Sequence, residues 1–86
     1  MSGKNLLELL ETTASRLGVE IRYENLSLPF GRSQGGYCKF EGKPLIIIDK
    51  KTSQRIKISI IAKGLKHIDL GNVFIPPAVR SIIEVQ

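Results

Sequence analysis

A run of four apolar residues, 45–48 (LIII), constrains the fold of this chain more than any other feature. Its three isoleucines and its short length favour a strand over a helix. Before it, Cys38 and Phe40 alternate with polar neighbours and Gly42 supplies a tight turn, so residues 37–49 are expected to form a β-hairpin. Because the second strand is apolar on both faces, we predict that it lies at the centre of the sheet, covered by helices or by a partner.

The remaining elements follow from periodicity and from the residues that end them. Apolar residues at helical spacing predict a first helix over residues 5–17, ended by Gly18, and alternation predicts a strand over 19–24. A second helix is expected from residue 52 or 53 to residue 67 or 70. A short third helix follows the prolines at positions 76 and 77, because proline is tolerated in a first helical turn.

The length of 86 residues predicts a single domain, 1–86, because a smaller piece could not bury a stable core by itself. The order α-β-β-β-α-α indicates an α+β domain with a small three-stranded, mostly antiparallel sheet, a long second helix and a short C-terminal helix. The longest apolar run is far below the ~20 residues of a membrane span, so we expect a cytoplasmic protein that binds no membrane. One cysteine excludes an internal disulfide, and no cofactor is expected.

The segment between the first two strands, residues 25–36, is rich in glycine and serine, so we expect a loop there. Its Arg32, Ser33, Gly35 and Gly36 are candidates for cradling a phosphate group. The segment lacks the Gly-Lys-Ser/Thr ending of a P-loop, and a strand rather than a helix follows it. A plain connector, or a loop that closes a groove against the sheet, is therefore the alternative interpretation.

The positive charge of the chain is concentrated in one segment. Thirteen Lys and Arg against eight Asp and Glu give a net charge of +5, and residues 43–67 carry seven basic and one acidic side chain, a net +6. A basic stripe on the second helix could contact the phosphates of a nucleic acid or another anionic ligand. No aromatic platform or nucleic-acid-binding pattern accompanies it, so a solvated helix face is the alternative. The candidate binding surface comprises Lys50, Lys51, Arg55, Lys63, Lys66 and His67.

Residues 43–70 contain a predicted buried strand, a short turn with an acidic residue and a long helix that finishes in IAKGLKHI. This arrangement resembles the ImmA/IrrE-type zincin-like metallopeptidases, whose helix carries HExxH, with two zinc-binding histidines and a glutamate as general base. The resemblance places the second histidine at His67, the first at Lys63 and the glutamate at Gly64. Lysine is a poor ligand and glycine has no side chain, so the resemblance implies a scaffold that has lost its metal site.

His67 and Cys38 each have a second interpretation. A histidine near the C-terminal end of a helix commonly interacts with the carbonyl groups there. Cys38 shares a strand face with Phe40, and a lone cysteine in that setting is commonly a small buried apolar residue. A hydrolase with an unrecognised site near His67, using Cys38 or the glycine-rich loop, is kept as a third functional hypothesis.

The leading functional prediction is a non-catalytic interaction module. On a helical wheel, Ile58 and Ile61 share one broad face of the second helix, whereas Ile56 and Ile60 lie on another. A chain of this length can hardly bury the apolar surface of both helix faces and of the run 45–48 by itself. We therefore expect that a homodimer or a protein partner buries the rest. A basic-patch binder of nucleic acid or of an anionic ligand is the alternative.

Overall fold

The computed structural model describes residues 3–28, 31–32 and 34–86. The helices in this part of the chain are α1 (Gly3–Arg16), α2 (Gln54–Leu65) and α3 (Pro77–Glu84). The strands are β1 (Glu20–Glu24), β2 (Ser27–Leu28), β3 (Gly31–Arg32), β4 (Gly35–Phe40) and β5 (Lys43–Asp49). The predicted α+β class and the predicted order of the main elements are confirmed.

β5 lies at the centre of a three-stranded sheet, as its apolar run predicts, and β1 and β4 flank it. β1 pairs with β5 in parallel, and β4 pairs with β5 antiparallel. The sheet is therefore mixed, whereas the sequence predicted mostly antiparallel pairing. The parallel pair arises because the chain leaves β1, crosses to the far edge of the sheet and returns through the β4–β5 hairpin, so β5 runs in the direction of β1.

The predicted loop over residues 25–36 holds more regular structure than expected. β2 and β3 pair antiparallel as a minimal two-stranded ladder, separate from the three-stranded sheet. β4 starts at Gly35, where the sequence predicted loop, and its first pair joins Gly35 to Ile48 of β5. Gly35 and Gly36 therefore belong to a sheet strand, Arg32 ends β3, and Ser33 lies outside the described residues.

The helix ends follow local sequence signals. Gly18, at a φ of 78°, ends α1 and donates its N–H to the carbonyl of Ser15. α2 begins where the hydroxyl of Ser53 accepts the N–H of Ile56, and it ends at Leu65, earlier than the sequence predicted. No helix in the described part of the chain is long and apolar enough to cross a membrane.

The core lies between the helices and one face of the sheet. Ile46 and Ile48 of β5 enter this core, whereas Leu45 and Ile47 point to the opposite face, because side chains alternate along a strand. Leu45 is nevertheless buried, and Ile47 is half-buried. One copy of the chain therefore covers most of the apolar run. The buried core residues are Leu10, Ala14, Val19, Ile46, Ile48, Ile61, Ala62, Leu65, Ile75, Val79 and Ile83.

Tyr23 connects β1 to two helices. Its hydroxyl donates a hydrogen bond to the carboxylate of Glu11 on α1, and the ammonium of Lys57 on α2 lies 5.4 Å from its ring centre. Burial, together with the contact to Glu11, raises the pKa of Tyr23 above its ordinary value. The protonated phenol and its ring thereby connect α1 and α2 to the edge of the sheet at β1.

Candidate functional site

A groove of about 580 Å³ lies between the first half of β4 and one side of α2. It brings together two sets of residues that the sequence analysis treated separately, namely two glycines of the predicted loop and two residues of the predicted basic surface. The groove is lined by Gln34, Gly35, Gly36, Tyr37, Ile60, Lys63, Gly64 and His67. These eight residues define the α2–β4 groove.

Gly64 allows α2 to lie close to the sheet at the base of the groove. A Cβ atom at this position would lie 2.6 Å from Cδ1 and 2.9 Å from Cγ1 of Ile46, and 3.6 Å from Cβ of Tyr37. Separations below about 3 Å are overlaps, so any side chain here requires the Ile46 side chain or the helix to move. Close packing against Ile46 thus explains why a glycine lies inside this helix at Gly64, without reference to a lost catalytic group.

Tyr37 and His67 form the end wall of the groove. Their rings are stacked, with centroids 5.2 Å apart and an angle of 13° between the planes. His67 lies in the turn after α2, where its N–H bonds to the carbonyl of Gly64 at 3.0 Å. The imidazole is thereby held beside β4, and sequence reasoning did not include Tyr37 in the candidate site.

The signal that could have found Tyr37 is the alternation along β4. The sequence predicted Cys38 and Phe40 on the buried side of this strand, and that orientation is wrong: Cys38 is exposed and Phe40 is 56% exposed. Tyr37 pairs with the core residue Ile46, so its side chain lies on the helix side of the sheet. Cys38 and His67 consequently lie on opposite faces of the sheet and do not form a nucleophile–base pair.

The structure was also compared with known proteins. No family model, curated protein or solved structure matches the chain. The resemblance to zincin-like metallopeptidases therefore stays a prediction.

The predicted basic surface lies only partly in the groove. Lys63 and His67 line the groove, but Arg55 lies two turns earlier on α2, about 12 Å along the helix axis from Lys63. The ammonium of Lys66 bonds to the backbone carbonyl of Gln86 beyond α3. The two lysines at positions 50 and 51 precede α2 and are exposed. Only Lys63 and His67 of the six predicted residues line the groove.

The donor atoms of the groove do not compose a metal site. The groove lining supplies one imidazole, from His67, and one ammonium, from Lys63, whereas zinc takes three or four protein ligands. Within residues 3–28, 31–32 and 34–86, no group of three or more His, Cys, Asp or Glu could hold a metal ion. The groove instead offers positive charge, hydrogen-bond donors and the apolar surface of Ile60, which are means of binding a ligand.

Proposed function

We propose that the chain is a non-catalytic binding module, built on a zincin-like scaffold without the metal site, which binds an extended segment of a protein partner in the α2–β4 groove. The observation that carries this proposal is the position of β4 at the edge of the sheet, directly beside the groove. Within the described residues, β4 pairs with β5 alone, and β2 and β3 belong to a separate ladder.

An edge strand recognises an extended peptide through its main-chain groups. The peptide adds as a further strand, its N–H and C=O groups supply affinity, and pockets for alternate side chains supply specificity. For a strand added to β4, the side chains on one face would lie over Ile60, Lys63 and His67 of the groove. The edge strand β4 thus offers main-chain pairing, and the groove beside it offers a pocket for side chains.

A partner segment is favoured over a second copy because one copy already covers much of its own apolar surface. Leu45, Ile46 and Ile48 of β5 are buried, and Ile61 of α2 is fully buried. Ile60, on the second apolar side of α2, is half-buried and lines the groove. The exposed part of Ile60 is thus available to a peptide side chain that enters the groove.

A catalytic role finds no support in the groups that line the groove. Where the metallopeptidase motif has its general base, this chain has Gly64, which packs against Ile46. Where the motif has its first zinc ligand, the chain has Lys63. Cys38, the other reactive side chain considered, lies on the opposite face of the sheet from His67. Binding without chemistry is the function that these residues can perform.

Filling the groove is expected to weaken peptide binding strongly. Peptides selected from a displayed library of linear sequences should bind the unmodified protein, and Ile60→Trp should weaken their binding by about ten-fold or more, because a buried interface centre carries most of the affinity. Val85→Trp is the control, because Val85 is 77% exposed and lies outside the groove. Fluorescence anisotropy measures both affinities, and circular dichroism checks that both variants are folded. Selected peptides that bind Ile60→Trp and the unmodified protein equally would contradict the proposal, as would a selection that yields no binder.

A further inference from the structure

We infer that the partner segment is acidic, with carboxylate side chains at alternate positions that contact Lys63 and His67. This inference rests on the proposed function, because it assumes that the peptide lies along β4 in the α2–β4 groove. It adds the chemical class of the ligand, which is indicated by the geometry of the groove and by the distribution of charge.

The groove carries a positive charge, from Lys63, and no negative one. Lys63 and His67 are both exposed, and none of the eight lining residues is acidic. The surrounding segment, residues 43–67, carries a net +6, so its field attracts an anionic segment and repels a basic one.

The two basic residues lie near the end of α2. Lys63 lies in the last turn of α2, and His67 follows four residues later in the turn after the helix; both residues line the groove. Side chains on one face of a strand repeat at about 7 Å, because each residue advances the chain by about 3.4 Å. In the inferred complex, the added strand places carboxylates at alternate positions, and these carboxylates contact Lys63 and His67.

A strand-borne carboxylate suits this position better than a free anion. Lys63 lies in the last turn of α2, where the carbonyl end of the helix dipole is negative and disfavours a small anion that nothing else holds. A peptide is held by its pairing with β4, so the attraction to Lys63 and His67 adds to binding that the main chain already supplies.

A nucleic acid fits the groove less well than an acidic peptide. Phosphate contacts by a strand of nucleic acid need several cations in a row, but Lys66 bonds to Gln86 and Arg55 lies about 12 Å from Lys63. Base stacking needs an open aromatic face, and one face of the Tyr37 ring is covered by His67.

The test compares three peptides of alternating valine and a second residue, which is glutamate, glutamine or lysine. The glutamate peptide is expected to bind most tightly, and Lys63→Gln should weaken its binding about five-fold at low salt. Lys51→Gln removes the same charge from an exposed position outside the groove and should change the affinity by less than about two-fold. The glutamine peptide should not respond to Lys63→Gln.

The outcomes separate the two proposals. Equal binding of the glutamate and glutamine peptides, lost for both in Ile60→Trp, would overturn the acidic inference and leave the groove as a peptide site. Equal weakening by Lys51→Gln and Lys63→Gln would also overturn it, since the effect would then be one of net charge. Failure of all three peptides and of every library peptide would overturn the proposed function together with the inference. Tighter binding of single-stranded oligothymidylate than of the glutamate peptide, weakened by Lys63→Gln, would replace the acidic peptide by a nucleic acid.

Discussion

Gly35→Ala is expected to lower the free energy of unfolding by about 3 kcal/mol, a large part of the stability of a domain of this size. Gly35 has a φ of 127°, which side-chain-bearing residues rarely adopt. A Cβ atom there would lie 2.0 Å from the carbonyl oxygen of Ile47 and 2.8 Å from Cα of Ile48. Because these are backbone atoms of the central strand, the overlap cannot be relieved by a rotamer change, and the start of β4 must separate from β5.

The adjacent glycine provides a matched control for this substitution. A Cβ atom at Gly36 would meet nothing within 4 Å, so Gly36→Ala is expected to change stability by less than about 0.5 kcal/mol. Urea denaturation of the two variants and of the unmodified protein measures both effects. Equal stability of the two variants would contradict the close approach of Gly35 to the main chain of β5.

Gly64→Ala is expected to destabilise the protein by about 1–2 kcal/mol, although alanine is the better helix former by about 1 kcal/mol. The physical reason is the 2.6 Å separation that a new Cβ would have from Cδ1 of Ile46. Ile46→Val removes that Cδ1 atom and alone should cost about 1 kcal/mol. In the double variant the overlap with Cδ1 is absent and only that with Cγ1 remains, so its loss of stability should be smaller than the sum of the two single losses by about 1 kcal/mol.

A double-mutant cycle by chemical denaturation measures this coupling. Lys63→Ala, at the neighbouring exposed position on α2, is the control and should show no coupling to Ile46→Val. A Gly64→Ala variant more stable than the unmodified protein, or additive losses in the double variant, would mean that α2 does not pack on β5 through Gly64. The same overlap implies that glutamate, the residue of the metallopeptidase motif, fits at this position only if the Ile46 side chain or the helix moves.

Much of the fold was predictable because its signals are local. The apolar run 45–48 identified the central strand, Gly18 identified the end of α1, and Ser53 identified the start of α2. The mixed sheet was not predictable in the same way, because the parallel pairing of β1 with β5 joins segments that are distant in the chain. Alternation along β4 showed that Cys38 and Phe40 share a face, but it did not show which face the helices cover.

The candidate site was predictable only in parts for a similar reason. Sequence reasoning named Lys63 and His67 from the helix and Gly35 and Gly36 from the supposed loop, but only the pairing of β4 with β5 brings the two sets into one groove. Tyr37 was missed because its stacking partner, His67, lies thirty residues downstream. Lys66, which the helical wheel places in the basic stripe, also makes a tertiary contact with Gln86 that a wheel does not contain.

Amide hydrogen exchange along β4 tests most directly whether the α2–β4 groove binds an extended peptide. In the presence of saturating glutamate–valine peptide, amides among residues 36–40 that point away from β5 should exchange about ten-fold more slowly or slower still, since an added strand accepts their hydrogen bonds. Amides of β1, at the opposite edge of the sheet, should be unchanged. Unchanged exchange along β4, with slowing at β1 or α3 instead, would contradict the account.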